Sequence, residues 1–158
     1  MIVRRAAALD ARHMAALLNE IIAKGGTTAK TDPVTADEIA QKMNAPQAIW
    51  HLAEDENGNL KGFQYFAPHP DLPANTVDIA TFVKLGETGL GIGSRLFDAT
   101  KTAARAHGYA YINAIIRADN SGGLAYYQSR GFEHVKMLSN QTLADGTIVD
   151  KVVKRFEL

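Results

Sequence analysis

The sequence predicts an α+β fold, a mixed α/β arrangement in which a mostly antiparallel central sheet is flanked by helices. Apolar residues recur at helical spacing in several segments, β-prone runs flank hairpin signals, and a strand, a helix and a strand follow one another near the middle of the chain. Parallel pairing is expected only at that crossover, because parallel strands need a long connection. The 158 residues have the length of one domain.

Turn and cap signals divide the chain into its predicted elements. Asp10 is expected to cap the first long helix, and Thr35 with Glu38 forms a capping-box pattern in which both side chains accept hydrogen bonds from free amides. The predicted order is a strand at 2–6, a helix between Asp10 and Gly25, a short helix from Thr35 to about Asn44, strands at 48–54, 60–67 and 76–84, a helix at 93–107, a strand at 109–116, a helix at 122–130, and two strands around Asp145-Gly146.

Composition and charge exclude several classes of protein. Seventeen basic residues balance seventeen acidic ones, so no broad positive field is available to hold nucleic acid or an anionic membrane. With no cysteine there is no disulfide framework, thiolate nucleophile or Cys-ligated zinc site, and a cytoplasmic protein is expected. The five histidines show no metal-ligand spacing, so no metal is expected either. Any bound anion must be held locally.

A glycine-rich loop at residues 85–94, between a predicted strand and a helix, is the strongest functional signal. Its glycines let backbone amides converge at a helix N-terminus, where a phosphate or pyrophosphate is the natural ligand. A dinucleotide fingerprint is disfavoured because Ser94 or Leu96 stands where its third glycine is required, and a nucleotide-triphosphate loop is rejected because Ser94-Arg95 replaces Lys-Ser/Thr. A purely structural turn stays the alternative to an anion site.

Two motifs resemble the GCN5-related N-acetyltransferase (GNAT) family. Residues 88–93, Thr-Gly-Leu-Gly-Ile-Gly, resemble its acetyl-CoA loop, and residues 120–132, from Asn120 to Gly131-Phe132, resemble a second family block. Within the family, the chain is similar to the phosphinothricin and amino-acid N-acetyltransferase subgroup. The segments that carry this similarity are Asn19 with residues 31–35, residues 62–65, Asp78 five residues before Val83, and residues 149–153.

The resemblance implies the GNAT acyl-CoA N-acyltransferase fold over residues 1–158 and a set of cofactor-binding residues. The strand that ends in Phe82 and Val83 is expected to bulge open, so that its backbone pairs with pantetheine and an N–H near Val83 polarises the acetyl carbonyl. The pyrophosphate is expected on the loop amides, and Asn120 is expected to bond pantetheine or stabilise the loop there. The implied loop residues are Thr88, Gly89, Leu90, Gly91, Ile92, Gly93 and Ser94.

Two residues are candidates for proton transfer. The family pattern selects Tyr127 as the general acid, because a phenol is protonated at neutral pH and can supply a proton to the departing thiolate. The adjacent Tyr126 must point in another direction, so only one of the two is expected to reach the site. Asp78 matches the subgroup carboxylate and is expected to act through water or to hold the acceptor's ammonium group. Phe66 is a candidate for the acceptor pocket.

The resulting hypothesis is an acetyl-CoA-dependent N-acetyltransferase that acts on the primary amine of a small, amino-acid-like molecule by direct attack in a ternary complex. A protein or peptide N-acetyltransferase and a non-catalytic acyl-CoA-binding module are the alternatives. No Lys or Arg lies at residues 67–75 to hold an acceptor carboxylate. The resemblance further implies a homodimer.

Overall fold

The computed structural model describes all residues, 1–158, and contains seven strands and four α-helices. Their bounds follow the sequence prediction to within about two residues. In chain order the elements are β1 (Ile2–Arg5), a 3-10 turn (Ala8–Asp10), α1 (Ala11–Lys24), α2 (Ala36–Met43), β2 (Ile49–Glu54), β3 (Leu60–Ala67), β4 (Thr76–Val83), α3 (Ile92–Ala106), β5 (Tyr111–Arg117), α4 (Ser121–Ser129), β6 (Glu133–Thr142) and β7 (Ile148–Glu157).

All seven strands form one sheet in the order β1-β2-β3-β4-β5-β7-β6. Every neighbouring pair is antiparallel except β4 and β5, which α3 connects as a crossover. The predicted mixed α/β fold and the single parallel pair are therefore confirmed. None of the four α-helices has the length and apolar character that a membrane span requires.

The parallel pair is short, and the two strands separate beyond it. β4 and β5 pair only from Thr76 with Tyr111 to Asp78 with Asn113. Beyond this point β4 stays paired to β3 as far as Val83, and β5 stays paired to β7 as far as Arg117. We call the opening between them the β4–β5 gap. The predicted opening beside the end of β4 is present, but the predicted bulge is wrong: β4 pairs with β3 without a register shift, and the opening arises from the separation of β5.

The two faces of the sheet carry separate cores. The α1 and α2 face packs Met14 and Leu18 against Trp50, Leu52 and Phe63. The opposite face packs aromatic and aliphatic side chains of β3, β4 and β5 against α3 and α4, among them Phe66, Val77, Ile79, Phe97, Ile112 and Tyr127. Because side chains alternate along a strand, consecutive residues of β4 face the two cores in turn. This alternation decides which side of the gap each side chain can reach.

The caps differ from the sequence prediction in two details. Asp10 precedes α1 but makes no side-chain cap, because its carboxylate instead accepts from the Ala7 N–H at 2.7 Å and from Arg4 at 2.9 Å. Thr35 caps α2 as predicted, accepting from the Glu38 N–H at 3.1 Å. The Glu38 carboxylate makes no return bond, so the capping box is half formed.

Candidate active site

A cleft of about 1230 Å³ runs through the β4–β5 gap and reaches both faces of the sheet. On the α3 and α4 face it is lined by the glycine-rich loop and the start of α4. On the α1 and α2 face it is lined by β4, the end of α1 and the connection between α1 and α2, with contributions from Tyr65, Asp78, Phe82, Lys30 and Lys42. Two reactants entering from opposite faces can therefore meet in the gap.

The glycine-rich loop ends in a helix N-terminus without a side-chain cap. Gly91 occupies the cap position of α3 at φ +83°, a left-handed conformation that favours glycine. The first amide bonded back within the helix is that of Arg95, to the Gly91 carbonyl at 3.1 Å. The amides of the three preceding residues have no intramolecular acceptor, and they carry the partial positive charge of the helix end. This arrangement can bind a phosphate group.

Two further features belong to the same end of α3. A Cβ at Gly93 would come within 2.7 Å of the Tyr126 ring, so glycine here lets α4 pack closely against the loop. Arg130, at the end of α4, donates to the Ser94 hydroxyl, while its Nε has no partner although it is buried. The site thus contains a cation that the loop sequence alone did not indicate. Glu87 is neutralised by Lys61 at 2.9 Å, so its carboxylate does not oppose an anion.

The edge of β4 that faces the gap carries free backbone groups. The Lys84 N–H donates to the Lys61 carbonyl of β3 at 2.9 Å. In an antiparallel ladder the direction of the N–H groups alternates, so those of Phe82 and Ala80 also point toward β3. The N–H groups of Thr81 and Val83 therefore point into the gap, where β5 no longer pairs. They can bind an extended chain or a carbonyl oxygen.

Tyr127 lies on the α4 side of the gap, and its hydroxyl is 2.8 Å from the Thr81 hydroxyl. The ring is 7% exposed, and burial raises the pKa of this phenol above its ordinary value. The hydrogen bond with Thr81 opposes that rise. The phenol is accordingly protonated at neutral pH, as a proton donor must be.

Asp78 lies at the last paired position of β4 and β5, on the opposite face of the sheet from Thr81. Its Oδ1 accepts from Asn113 Nδ2 at 3.1 Å, and Asn113 is itself buried. Burial raises the pKa of Asp78, and the hydrogen bond from Asn113 partly offsets that rise. A carboxylate with a raised pKa is a stronger base than an exposed one, and it can also pair with an ammonium group.

The α1 and α2 side of the cleft contains an aromatic floor and two neighbouring lysines, Lys30 and Lys42, that have no acidic partner. Tyr65 and Phe82 contribute rings to the floor, and Tyr65 stacks on Trp50 with centroids 3.8 Å apart. Desolvation by the surrounding protein and the adjacent Lys30 lower the pKa of Lys42 to about 8, although its side chain stays exposed. Neither Lys30 nor Lys42 has a carboxylate oxygen within 4 Å of its ammonium nitrogen, so neither forms an ion pair. A negatively charged group between them would relieve their mutual repulsion.

The connection between α1 and α2 is held over the cleft by hydrogen bonds from three elements. Asn19 bonds both backbone groups of Val34, at 2.9 and 2.8 Å. Arg117 donates to the Thr28 carbonyl at 3.2 Å. Asn120 caps α4 by accepting from the Gly123 N–H at 3.0 Å, and its Nδ2 donates to the Thr27 carbonyl at 3.0 Å. The side chain of Asn120 is thus engaged in shaping the cleft wall.

The structure brings the predicted site residues together with one exception. Residues Asp78, Phe82, Val83, Thr88, Gly89, Gly91, Ile92, Gly93, Ser94, Asn120 and Tyr127 all line the cleft. Leu90 does not, and its side chain is 69% exposed. Phe66 is fully buried in the α3 and α4 core, so its placement in the acceptor pocket is wrong; its neighbour Tyr65 faces the cleft instead.

Tyr126 and Tyr127 both line the cleft, so the expectation that only one reaches it is wrong. Their rings are 5.0 Å apart at an interplanar angle of 62°, so two adjacent positions of α4 contribute to the cleft wall. Sequence reasoning also missed Gln64, Thr81, Arg130, Lys30 and Lys42. No group of three His, Asp or Glu side chains is arranged to hold a metal ion.

Comparison with known proteins agrees with this geometry. The model of the acetyltransferase (GNAT) family matches residues 15–132. The chain is 26% identical over 162 residues to "Putative phosphinothricin acetyltransferase YwnH" of Bacillus subtilis (strain 168), covering 100% of this chain and 99% of that protein.

Two solved structures show the same fold. The ribosomal-protein-alanine N-acetyltransferase from Brucella melitensis superimposes with a TM-score of 0.90 at 21% identity, over 100% of each chain. A phosphinothricin acetyltransferase (Pat) from Sinorhizobium meliloti, in complex with AcCoA, gives a TM-score of 0.89 at 22% identity, over 99% of this chain and 88% of that one. The predicted family, fold and class of enzyme are confirmed, and the chain belongs to the acetyltransferase (GNAT) family of acetyl-CoA-dependent N-acetyltransferases.

Proposed function

We propose that this protein, as a single domain over residues 1–158, transfers an acetyl group from acetyl-CoA to the primary amine of a small, amino-acid-like molecule by direct attack in a ternary complex. The observation that carries the proposal is the β4–β5 gap, which joins an anion-binding helix end on one face to Asp78 and an aromatic floor on the other. The chain has no cysteine to form an acyl-enzyme, which is consistent with direct transfer.

The cofactor half of the cleft fits acetyl-CoA by three features. The free amides at the start of α3 would hold the pyrophosphate, and Arg130 would add a positive charge beside Ser94. The free edge of β4 would pair with the pantetheine arm, and the Val83 N–H would polarise the acetyl carbonyl. Asn120 would act by holding the α1–α2 connection against this half. The AcCoA complex of the Sinorhizobium meliloti protein supports the assignment.

The two proton-transfer groups lie on opposite faces of the sheet. Asp78 would accept a proton from the ammonium group of the acceptor, directly or through water, and leave a neutral amine to attack the acetyl carbon. The C–N bond would form as the C–S bond breaks, the attacking nitrogen would lose its second proton to solvent, and Tyr127 would supply its own proton to the departing sulfur. Because Asp78 and Tyr127 face different sides, neither blocks the approach of the reactant served by the other.

The lysine pair supports an acceptor that carries a negative charge. Lys30 comes from the α1–α2 connection and Lys42 from the last turn of α2, and both line the half of the cleft that contains Asp78. An amino acid offers the complementary arrangement, with an ammonium group for Asp78 and a carboxylate for the lysines. This pair would take the role that residues 67–75 do not fill.

The exposed edge of the sheet supports a homodimer. β6 pairs only with β7, and it exposes Val135 and Met137, the latter by 52%. We propose that a second copy covers this edge, since an exposed apolar strand edge favours pairing with another chain. Analytical ultracentrifugation tests the proposal, and a monomer at all concentrations would contradict it.

Gly91→Val should weaken acetyl-CoA binding by more than about 100-fold, because the side chain and the altered backbone would displace the free amides from the pyrophosphate. Isothermal titration calorimetry measures the effect. Gly58→Val is the matched control: Gly58 has φ +78° and open space, like Gly91, but lies in the β2–β3 hairpin outside the cleft. Equal acetyl-CoA affinities for the two variants would overturn the loop assignment.

Tyr127→Phe should lower kcat by about 100-fold or more, the usual contribution of a general acid, while the affinity for acetyl-CoA changes little. Steady-state kinetics with thiol detection, combined with calorimetry, separates the two quantities. Tyr109→Phe is the control, since the Tyr109 hydroxyl bonds Gln47 outside the cleft. A wild-type kcat for Tyr127→Phe would show that another group supplies the proton.

Lys42→Gln should raise KM about tenfold for an amino-acid acceptor and leave KM for the corresponding decarboxylated amine unchanged. Only the amino acid has a carboxylate that would lose its contact with Lys42. A panel of amino acids, phosphinothricin, methionine sulfoximine and polyamines provides the acceptors. Lys101→Gln, on α3 outside the cleft, is the control.

The same site should respond to pH. Since the pKa of Lys42 is lowered to about 8, its positive charge is present below that pH and is lost above it. The preference for the amino acid over its decarboxylated amine should therefore fall between pH 7 and 9. A preference that is independent of pH and of Lys42 would contradict the anion site, and silence across the panel would favour a protein acceptor or a non-catalytic module.

A further inference from the structure

A half-buried chain of hydrogen bonds connects the start of α3 to Tyr127. The Tyr126 hydroxyl lies 2.7 Å from the Gly93 carbonyl, and Gln64 Nε2 lies 3.1 Å from the same hydroxyl. Gln64 Nε2 is also 2.9 Å from the Thr81 hydroxyl, which is 2.8 Å from that of Tyr127. Thr100 completes the set by donating to Gln64 Oε1. The chain joins residues that lie on β3, β4, α3 and α4.

The first part of this chain can run in only one direction. A carbonyl oxygen accepts and never donates, so the single proton of Tyr126 must be directed at Gly93. The Tyr126 oxygen must then accept from Gln64, which fixes the side-chain amide with Nε2 toward Tyr126 and Oε1 toward Thr100. The second hydrogen of Nε2 is directed at Thr81. The Gly93 carbonyl thus sets, through the Tyr126 hydroxyl, the orientation of the Gln64 side chain on β3.

The direction of the last bond follows from the need to satisfy Thr81. Its oxygen already accepts from Gln64 at 2.9 Å, and the shortest contact open to its own proton is the Tyr127 oxygen at 2.8 Å. Were Tyr127 to donate to Thr81, the Thr81 proton would lose this acceptor and the Tyr127 proton would be directed away from the cleft. With Thr81 as donor, the protons of Tyr126, Gln64 and Thr81 are all directed at acceptors within the chain, and the Tyr127 proton is free to face the cleft.

We propose that Gln64 and Thr81 are positioning residues for the acetyl transfer: Gln64 orients the Thr81 hydroxyl as a donor to Tyr127, and Thr81 thereby directs the phenol proton at the departing sulfur. The inference rests on the proposed role of Tyr127. In the step itself the amine nitrogen bonds to the acetyl carbon and loses one proton to solvent, the C–S bond breaks, the sulfur takes the Tyr127 proton, and the phenolate that forms keeps the hydrogen bond from Thr81. A later proton from solvent restores the phenol.

Thr81→Val removes the donor while keeping the shape, and Thr81→Ser restores it. Thr81→Val should lower kcat about 10- to 100-fold, the effect of losing one hydrogen bond to a charged group. KM and Kd for acetyl-CoA should change by less than about threefold, and Thr81→Ser should recover kcat to within about threefold of the wild type. Thermal unfolding of both variants verifies that they are folded.

The selenoester analogue of acetyl-CoA distinguishes positioning from packing. Its leaving selenolate is a much weaker base than a thiolate and needs no proton, so the Thr81→Val deficit should shrink to within about threefold with this donor. A deficit that persists with the selenoester would overturn the inference, because the loss would then be structural.

The two proposals fail in different ways. If Tyr127→Phe loses activity but Thr81→Val does not, the inference is overturned and Tyr127 stays the acid. If Tyr127→Phe keeps its activity, the proposed role of Tyr127 fails, and the inference fails with it.

Discussion

The separation of β4 from β5 after a parallel pairing of three residues is the constraint on which the rest of the structure depends. Each of the two strands stays bonded on its outer side, β4 to β3 and β5 to β7, so the sheet opens without losing its frame. The Asp78–Asn113 hydrogen bond lies at the point where they part. The opening leaves backbone groups of β4 free on the wall of the cleft, where the polar groups of a ligand can pair with them.

The alternation of side chains along β4 assigns the two halves of the chemistry to two faces of the sheet. Asp78 and Phe82 face the α1 and α2 side, where an acceptor would bind, and Thr81 faces Tyr127 on the other side. Between them, the free Val83 N–H points into the gap. A local anion site at the start of α3 also explains how a chain with no net charge can bind a polyphosphate, because backbone amides add nothing to the charge count.

Much of the fold could be predicted from the sequence, because local signals determine it. Helical spacing, the Asn57-Gly58 turn and the glycine that ends each long helix depend only on neighbouring residues, and the elements they predict are present. Asp10 shows where this reasoning fails: its carboxylate bonds Arg4 and Ala7 instead of capping α1. Such competition between partners is not visible in a local pattern.

The site residues that sequence reasoning missed owe their position in the site to long-range contacts. Gln64 meets Tyr126 across 62 positions of sequence and Thr81 across 17, and in the sequence it is a polar residue inside an apolar strand. Lys30 and Lys42 become a pair only when the α1–α2 connection is held by Asn19, Arg117 and Asn120. Phe66 and Tyr65 are adjacent in β3, so their side chains point to opposite faces of the sheet. A prediction that is wrong by one residue therefore assigns a core side chain to the cleft.

Hydrogen exchange of the β4 amides, followed by NMR with and without acetyl-CoA, tests the central claim most directly. The N–H groups of Thr81 and Val83 point into the gap, whereas those of Ala80 and Phe82 are already bonded to β3. If the gap is the cofactor site, acetyl-CoA should slow exchange at Thr81 and Val83 and leave Ala80 and Phe82 nearly unchanged. Binding of acetyl-CoA without added protection at Thr81 or Val83 would contradict the account.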